Sequence, residues 1–336
     1  MLQNRSFISI LDFTQQELNY IISLAHQLKL KRKQGILGNS LKGKSIAMLF
    51  EKTSTRTRSA FEISIIEEGG YPSFIDISNS QFSKKESIED SAKVLAGFYH
   101  GIEFRGFSHD TVKDLAKFSG IPIYNGLTDD EHPTQILADI MTMEEIFPNK
   151  PLNKMKIAYI GDARNNMANA WIYACAIMGI EFVAYSPKEL FPDISVLEKV
   201  HNLAKDSGAK IEISSDINII KNSDVIYTDV WVSMGEETQL LKRAKLLKPY
   251  KITMDMLQKT NNPDVVFMHC LPAFHDFHTE FAKKAQKQNI DIREVDDEVF
   301  RSKHSIVFQQ AHNRLHTIKA ILVATLGSSG EHHDTN

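Results

Sequence analysis

Short apolar runs alternate along most of the chain with stretches whose apolar residues recur at three- and four-residue spacing. The first pattern predicts buried strands and the second amphipathic helices. Leu18, Ile21, Ile22, Ala25 and Leu28 follow the helical period. Thr14 and Glu17 stand at capping-box spacing at the start of this helix, and Gly35 marks its end. The pattern then predicts strand 44–50, helix 56–70, strand 71–77, helix 87–99, strand 102–107, helix 110–119, strand 121–125 and helix 133–147. Segment 148–153, with two prolines and little apolar content, reads as a hinge. Alternation restarts with strand 156–160, helix 165–178, strand 181–185, helix 195–207 and strand 210–213. Strands 225–228, 265–269 and 292–295 follow, and a last helix covers about 309–326.

Repeated strand–helix alternation implies parallel sheets covered on both faces. Two such runs predict an α/β chain of two doubly wound parallel-sheet domains joined by helices, a natural number for 336 residues. The expected boundaries are 1–148 and 149–308. The C-terminal helix, about 309–327, returns to the first domain, and a polar tail, 328–336, is expected to fray.

Composition narrows the function. With 42% hydrophobic and 24% charged residues the chain is globular rather than disordered. A net charge of −3 offers no basic field for nucleic acid or an anionic membrane, so anion affinity must come from a few placed arginines and lysines. Cys175 and Cys270 are too few for a disulfide framework or a four-thiolate metal site, and free thiols suit a reducing compartment. The first residues lack the pattern of a secretory signal, and no run has the length of a membrane span. The expectation is a soluble, cytoplasmic protein.

In doubly wound sheets, ligands bind outside the carboxyl ends of the strands. After the first strand comes Glu51-Lys52-Thr53-Ser54-Thr55-Arg56-Thr57-Arg58, leading into a helix. Free N–H groups at a helix start, with Arg56 as a bidentate donor, suit a phosphate; a hydroxyl-rich cap with solvated arginines is the alternative. Arg105 ends the third strand, where it fits either an anion site or a salt bridge to a neighbouring Glu. His132-Pro133-Thr134-Gln135 follows the fourth strand. Its Pro favours a helix start, a neutral His can donate to a carbonyl oxygen, and a Gln can accept from an amine; a polar helix cap is the plainer reading. Strand ends of the second domain carry Gly161-Asp162-Ala163-Arg164-Asn165-Asn166, Asp229-Val230-Trp231-Val232-Ser233-Met234-Gly235 and His269-Cys270-Leu271-Pro272-Ala273. These groups suit an amine and an amino-acid head group. One domain fitted to an anion and one to an amine implies a two-substrate transfer across an interdomain cleft.

Other patterns carry less. Segment 38–45 matches the P-loop spacing but follows a helix and opens a strand, the reverse of the context a P-loop needs. Gly161 follows a strand without the further glycines of a dinucleotide site. His275 and His278 have no evident third metal ligand and read as surface histidines; Cys175 reads as core.

Ser54-Thr55-Arg56-Thr57, His132-Pro133-Thr134-Gln135 and His269-Cys270-Leu271-Pro272, in this order and at these separations, resemble the transcarbamoylase family. The match runs from the first helix to about Leu326. Asp229 with Ser233-Met234-Gly235, and the Cys in the third motif, resemble the branch that uses ornithine. The resemblance implies carbamoyl transfer from carbamoyl phosphate to the δ-amine of ornithine, with no cofactor and no metal. It implies that Ser54, Thr55, Arg56 and Thr57 bind the phosphate, and that Arg105, His132 and Gln135 hold the carbamoyl group. Cys270 and Leu271 would line the reacting centre and Arg314 complete the anion site. Asn166, Asp229, Ser233 and Met234 would bind ornithine. Asp229, Cys270, Arg105 and His132 are the implied catalytic groups. Gln81 is implied to reach a neighbouring subunit, giving a homotrimer with shared sites, with a higher assembly of trimers left open. The loop Phe82-Ser83-Lys84-Lys85-Glu86 departs from the Ile-Gly-His-Lys-Glu common in ornithine enzymes. The alternatives are a carbamoyltransferase for another amine, such as putrescine, and a non-catalytic binding protein on the same fold. The residues leave open whether flow runs toward citrulline or from it.

Overall fold

The computed structural model describes residues 2–77, 82, 85–232, 235 and 237–328, with the backbone alone at 237. Gln81, Ser83, Lys84, Ser233, Met234 and 329–336 lie outside the described residues. The chain divides into two units, Met1–Met141 with His312–Asn336, and Thr142–Ala311.

The first unit opens with helix α1, Gln15–Lys33. Its cap is reciprocal: the Thr14 hydroxyl accepts from the Glu17 N–H, and the Glu17 carboxylate accepts from the Thr14 N–H. Strands β1 (Ser45–Phe50), β2 (Tyr71–Asp76), β3 (Gly101–Arg105) and β4 (Ile123–Leu127) form a sheet in the order β2-β1-β3-β4, with every pair parallel. The central strands β1 and β3 are almost wholly buried, as two-sided coverage requires; β1 is apolar from Ile46 to Phe50, whereas β3 carries Glu103 and Arg105 among its buried residues. Pro72 is tolerated because β2 is the edge strand. Helices α2 (Arg56–Glu67), α3 (Ile88–Phe98), α4 (His109–Ser119) and α5 (Pro133–Ile146) follow the successive strands. Ala47, Leu49, Ile102, Phe104, Val112, Leu115 and Ile123 pack as one core.

The second unit repeats the plan. Strands β5 (Lys156–Ile160), β6 (Glu181–Tyr185), β7 (Ile211–Ser214), β8 (Val225–Thr228) and β9 (Val266–His269) lie in the order β7-β6-β5-β8-β9, again all parallel. Helix α6, Asn166–Met178, is buried from Met167 onward, including Cys175, whose thiol is pushed up by burial. It stops at Gly179, in the left-handed region, where a Cβ would crowd the Ser207 carbonyl at 2.9 Å. Helices α7 (Ile194–Ser207), α8 (Leu240–Leu247), α9 (Met254–Gln258), α10 (Glu280–Lys287) and α11 (Asp297–Phe300) complete the unit. The division between the units falls within α5 and within α12, Val307–Leu326.

Segment 292–295 is not a strand. Val295 makes one isolated bridge, to Ile252, where the Ile252 N–H donates to the Glu294 carbonyl and the Asp296 N–H to the Ile252 carbonyl. Its apolar residues are buried without joining the β-ladder, so burial alone imitated a strand pattern. Among the described residues no helix is long and apolar enough to cross a membrane.

The strand orders locate the switch points. The chain leaves β1 for β2 on one side and returns to β3 on the other; it leaves β5 for β6 and β7 and returns to β8. Loops that part at such a point leave a crevice at the carboxyl ends of the two central strands. In the first unit these ends are 51–57 and Arg105, and in the second 161–166 and Asp229.

Candidate active site

At the first switch point, Thr57 is the second residue of α2 and fully buried. Its N–H donates to Ser54 Oγ at 3.1 Å, so the hydroxyl run caps the helix. Its own hydroxyl oxygen accepts from Arg105 Nη1 at 3.4 Å and from Arg314 Nη2 at 2.9 Å. Arg314, on α12, also donates to Thr134 Oγ1 at 3.5 Å. Thr55 is the exposed N-cap of α2 and makes no side-chain cap bond; Arg56 opens the helix, half-buried.

The fourth strand end joins the same group. Pro133 opens α5, and His132, Thr134 and Gln135 are buried beside it. Burial pushes the His132 imidazole well below its usual range, and Arg314, Arg105 and Arg56 push it the same way. The ring is therefore neutral at physiological pH and able to donate from one nitrogen. Its Nδ1 lies 3.5 Å from Thr134 Oγ1. Gln135 Nε2 donates to Asp139 Oδ1 at 2.8 Å, while its Oε1 is buried with no partner. Three arginines act on one neutral imidazole, a grouping chemically suited to a small anion that bears a carbonyl oxygen.

At the second switch point, Asp229 follows β8. Its Oδ1 accepts from the Val230 N–H at 2.8 Å and from Cys270 Sγ at 3.1 Å; its Oδ2 accepts from Asn165 Nδ2 at 3.3 Å. Asn165 is the N-cap of α6, where its Oδ1 accepts from the Ala168 N–H and from the Tyr159 hydroxyl. Asn166 is the first helical residue, half-buried beside it.

Cys270 is held by a turn after β9. Leu271 sits in the left-handed region at φ 52, a conformation that costs a non-glycine residue about 1–2 kcal/mol and survives where surrounding bonds impose it. The Leu271 N–H donates to His269 Nδ1 at 3.0 Å, which leaves His269 Nε2 to donate to Glu294 Oε1 at 3.1 Å. That carboxylate also accepts from the Phe274 N–H, and the His269 N–H donates to Gln310 Oε1. Asp229, His269 and Cys270 converge closely enough to face one ion, but both imidazole nitrogens of His269 are already engaged.

Of the residues singled out from the sequence, Ser54, Thr57, Arg105, His132 and Arg314 are joined in the first unit by hydrogen bonds or by electrostatic contact. Asp229 and Cys270 are joined directly in the second. Gln81, Ser233 and Met234 lie outside the described residues. Sequence reasoning missed Asn165 and Glu294 as supports of Asp229 and Cys270. The helix-start position of Asn165 was the available signal; nothing local marked Glu294. His275 is half-buried rather than fully exposed: it stacks on Phe300 at 3.8 Å between ring centroids and pairs with Asp297 at 2.6 Å, whereas His278 is exposed.

Two family models match the chain. Residues 5–145 match the carbamoyl-P binding domain of aspartate/ornithine carbamoyltransferases, and residues 153–325 their Asp/Orn binding domain. A catabolic ornithine carbamoyltransferase of Clostridium perfringens is 55% identical over 97% of this chain and 98% of its own length. A catabolic enzyme of Staphylococcus epidermidis is 50% identical over 97% and 99%. The solved ornithine carbamoyltransferase of Pyrococcus furiosus superposes with a TM-score of 0.87 at 36% identity, covering 96% of this chain and 97% of that one. With both domain models matched and these relatives aligned almost end to end, the chain belongs to the aspartate/ornithine carbamoyltransferase family.

Proposed function

We propose that this protein is an ornithine carbamoyltransferase, transferring the carbamoyl group of carbamoyl phosphate to the δ-amine of L-ornithine to give L-citrulline and phosphate. The observation that carries the ornithine reading is the Asp229–Cys270 contact, a carboxylate beside a thiol at a switch point, with relatives at 55% and 50% identity that bear this name. The carbamoyl phosphate reading rests on the Thr57, Arg105 and Arg314 cluster and the neutral His132.

In this reading Ser54, Thr55, Arg56 and Thr57 hold the phosphate, with Gln81 from a neighbouring subunit. His132 donates to the carbamoyl oxygen, and the open Gln135 Oε1 accepts from the carbamoyl nitrogen. Arg105 and Arg314 stabilise the charge that develops on the oxyanion and on the leaving phosphate. Asn166, Ser233 and Met234 bind the ornithine head group, and Leu271 lines the reacting centre. A primary amine is mostly protonated in water at neutral pH. Asp229 orients it and helps remove its proton, and the neutral δ-amine attacks the carbamoyl carbon. Cys270 keeps its hydrogen bond to Asp229 and forms no covalent intermediate. The proton removed before attack passes by way of Asp229 to solvent, and the second, lost by the amine nitrogen after attack, goes to the leaving phosphate.

The relatives named catabolic support flow from citrulline toward carbamoyl phosphate. A homotrimer is supported by exposed apolar side chains of the first unit: Ile63 and Ile66 on α2, Tyr71 and Phe74 on the edge strand β2, and Val94 and Phe98 on α3. Metabolite substrates and two free thiols fit a cytoplasmic setting.

The deciding measurement is citrulline formation as ornithine and carbamoyl phosphate are varied, with putrescine as the competing amine. Faster turnover of putrescine would overturn the ornithine assignment, and no phosphate release with any amine would favour a binding protein. A sigmoidal carbamoyl phosphate curve is expected for the catabolic role. Light scattering on the wild type and on Phe98→Lys tests the trimer, which the variant is expected to weaken.

A further inference from the structure

Glu103 stands in the middle of β3 with its side chain fully buried, and neither carboxylate oxygen has a hydrogen-bond partner. A buried polar group without a partner is costly and calls for a reason. The space it fills is made by Gly126. Strands β3 and β4 pair Phe104 with Asn125 and then Arg105 with Leu127, so Gly126 is an extra residue on β4. A Cβ at Gly126 would overlap Glu103 Oε1. The charged groups acting on the carboxyl are Arg105, two residues along the same strand and hence on the same face, and Arg314 from α12. Across the sheet it is in register with Met48 of β1 and Tyr124 of β4. The Tyr124 phenol is bonded to Thr325 and raised by burial, so it stays uncharged.

We propose that Glu103 sets the charge of the anion site: at a pH where it is ionised in the empty site its carboxylate balances the Arg105–Arg314 pair, and it takes up one solvent proton when a phosphate dianion binds those arginines. The inference rests on the reading of the first unit as the carbamoyl phosphate unit. Ionised, Glu103 cancels one guanidinium; protonated, it leaves both to the substrate. Burial pushes its carboxyl well above the ordinary range, and the two guanidiniums oppose that rise. An arriving dianion removes their opposition and adds repulsion, so binding favours the protonated form. Affinity is then greatest where the free enzyme already holds the proton. It falls about tenfold per pH unit as pH rises past the free-enzyme value toward the higher bound value. His132 does not compete, because it is depressed and neutral over this range, and Arg56, Arg105 and Arg314 stay charged.

The test is calorimetric titration of the intact protein with fresh carbamoyl phosphate, without ornithine, in buffers of different ionisation enthalpy from about pH 6 to about pH 9. The wild type is expected to take up about one proton per site toward alkaline pH, with Kd rising about tenfold per pH unit there. Glu103→Gln is expected to take up none and to show a flat Kd. Zero uptake by the wild type throughout, or a wild-type slope in E103Q, overturns the proposal. Infrared difference spectra of the wild type give a readout independent of the variant: a protonated-carboxyl band is gained on binding at alkaline pH, and its absence overturns the proposal as well. Failure of the wild type to bind carbamoyl phosphate at all would instead refute the proposed function.

Discussion

Arg314 on α12 donates to the hydroxyl of Thr57 at the start of α2, 257 positions earlier in the chain, at 2.9 Å. Arg105 donates to the same oxygen at 3.4 Å. One buried hydroxyl therefore accepts from two guanidiniums and helps to position both. Thr57→Val keeps the shape and removes the acceptor. A hydrogen bond to a charged group is worth about 1.5–3 kcal/mol, so KM for carbamoyl phosphate should rise about 10- to 100-fold, with kcat changing less. An unchanged KM would show that the hydroxyl does not position the arginines.

Asp229 receives hydrogen bonds from Val230, Cys270 and Asn165 and is half-buried. Asp229→Asn should lower kcat about 10²- to 10⁴-fold, the range for a positioned acid–base group, while KM for carbamoyl phosphate moves little. Steady-state kinetics with both substrates varied separates the two effects. Turnover equal to wild type would remove Asp229 from the mechanism.

For Cys270, a Ser at this position can still donate to Asp229 and an Ala cannot. Direct attack predicts that Cys270→Ser retains more turnover than Cys270→Ala. Intact-protein mass spectra of the wild type mixed with carbamoyl phosphate should show no carbamoyl adduct. An accumulating adduct, together with a Ser variant as inactive as the Ala variant, would establish a nucleophilic thiol instead.

Glu131, beside His132, accepts from the Ile10 N–H at 2.8 Å, and burial pushes its carboxyl up to about 8. An unfolded Glu ionises near its ordinary value of about 4.3. Between these values the folded state holds a proton that the unfolded chain has released. The stabilisation from this group is complete below the unfolded value and is lost as pH rises toward about 8. Glu131→Gln keeps an acceptor for Ile10 and removes the titration. Its melting temperature should fall less than that of the wild type between mildly acid pH and pH 8, with a difference on the order of a few kcal/mol in stability. Parallel curves for the two proteins would show that Glu131 does not titrate in this range.

Much of the fold was legible because it is written in local patterns. The capping box at Thr14 and Glu17 is present as read, and strands β5, β6 and β8 span the expected residues. Segment 292–295 misled because Ile292 and Val295 are buried for packing rather than pairing. The strand-end rule pointed to 51–57, Arg105, 132–135, Asp229 and Cys270 as candidates, and the structure places all of them at or just after strand ends, since a parallel sheet exposes its carboxyl ends whatever its side chains are. It did not find Arg314, which lies within a helix and was reached through resemblance alone.

The alternation of apolar and polar positions determined the α/β class, the positions of most strands and helices along the chain and the loops worth inspecting, because those features depend on near neighbours. Which loops meet was decided by the sheet orders β2-β1-β3-β4 and β7-β6-β5-β8-β9, which set the switch points. Only the folded chain could bring Arg314 to Thr57, hold His132 neutral among three arginines, and seat Glu103 over Gly126. Desolvation and charge act through space, so a carboxyl in a strand pattern shows its environment only after its distant neighbours have closed around it.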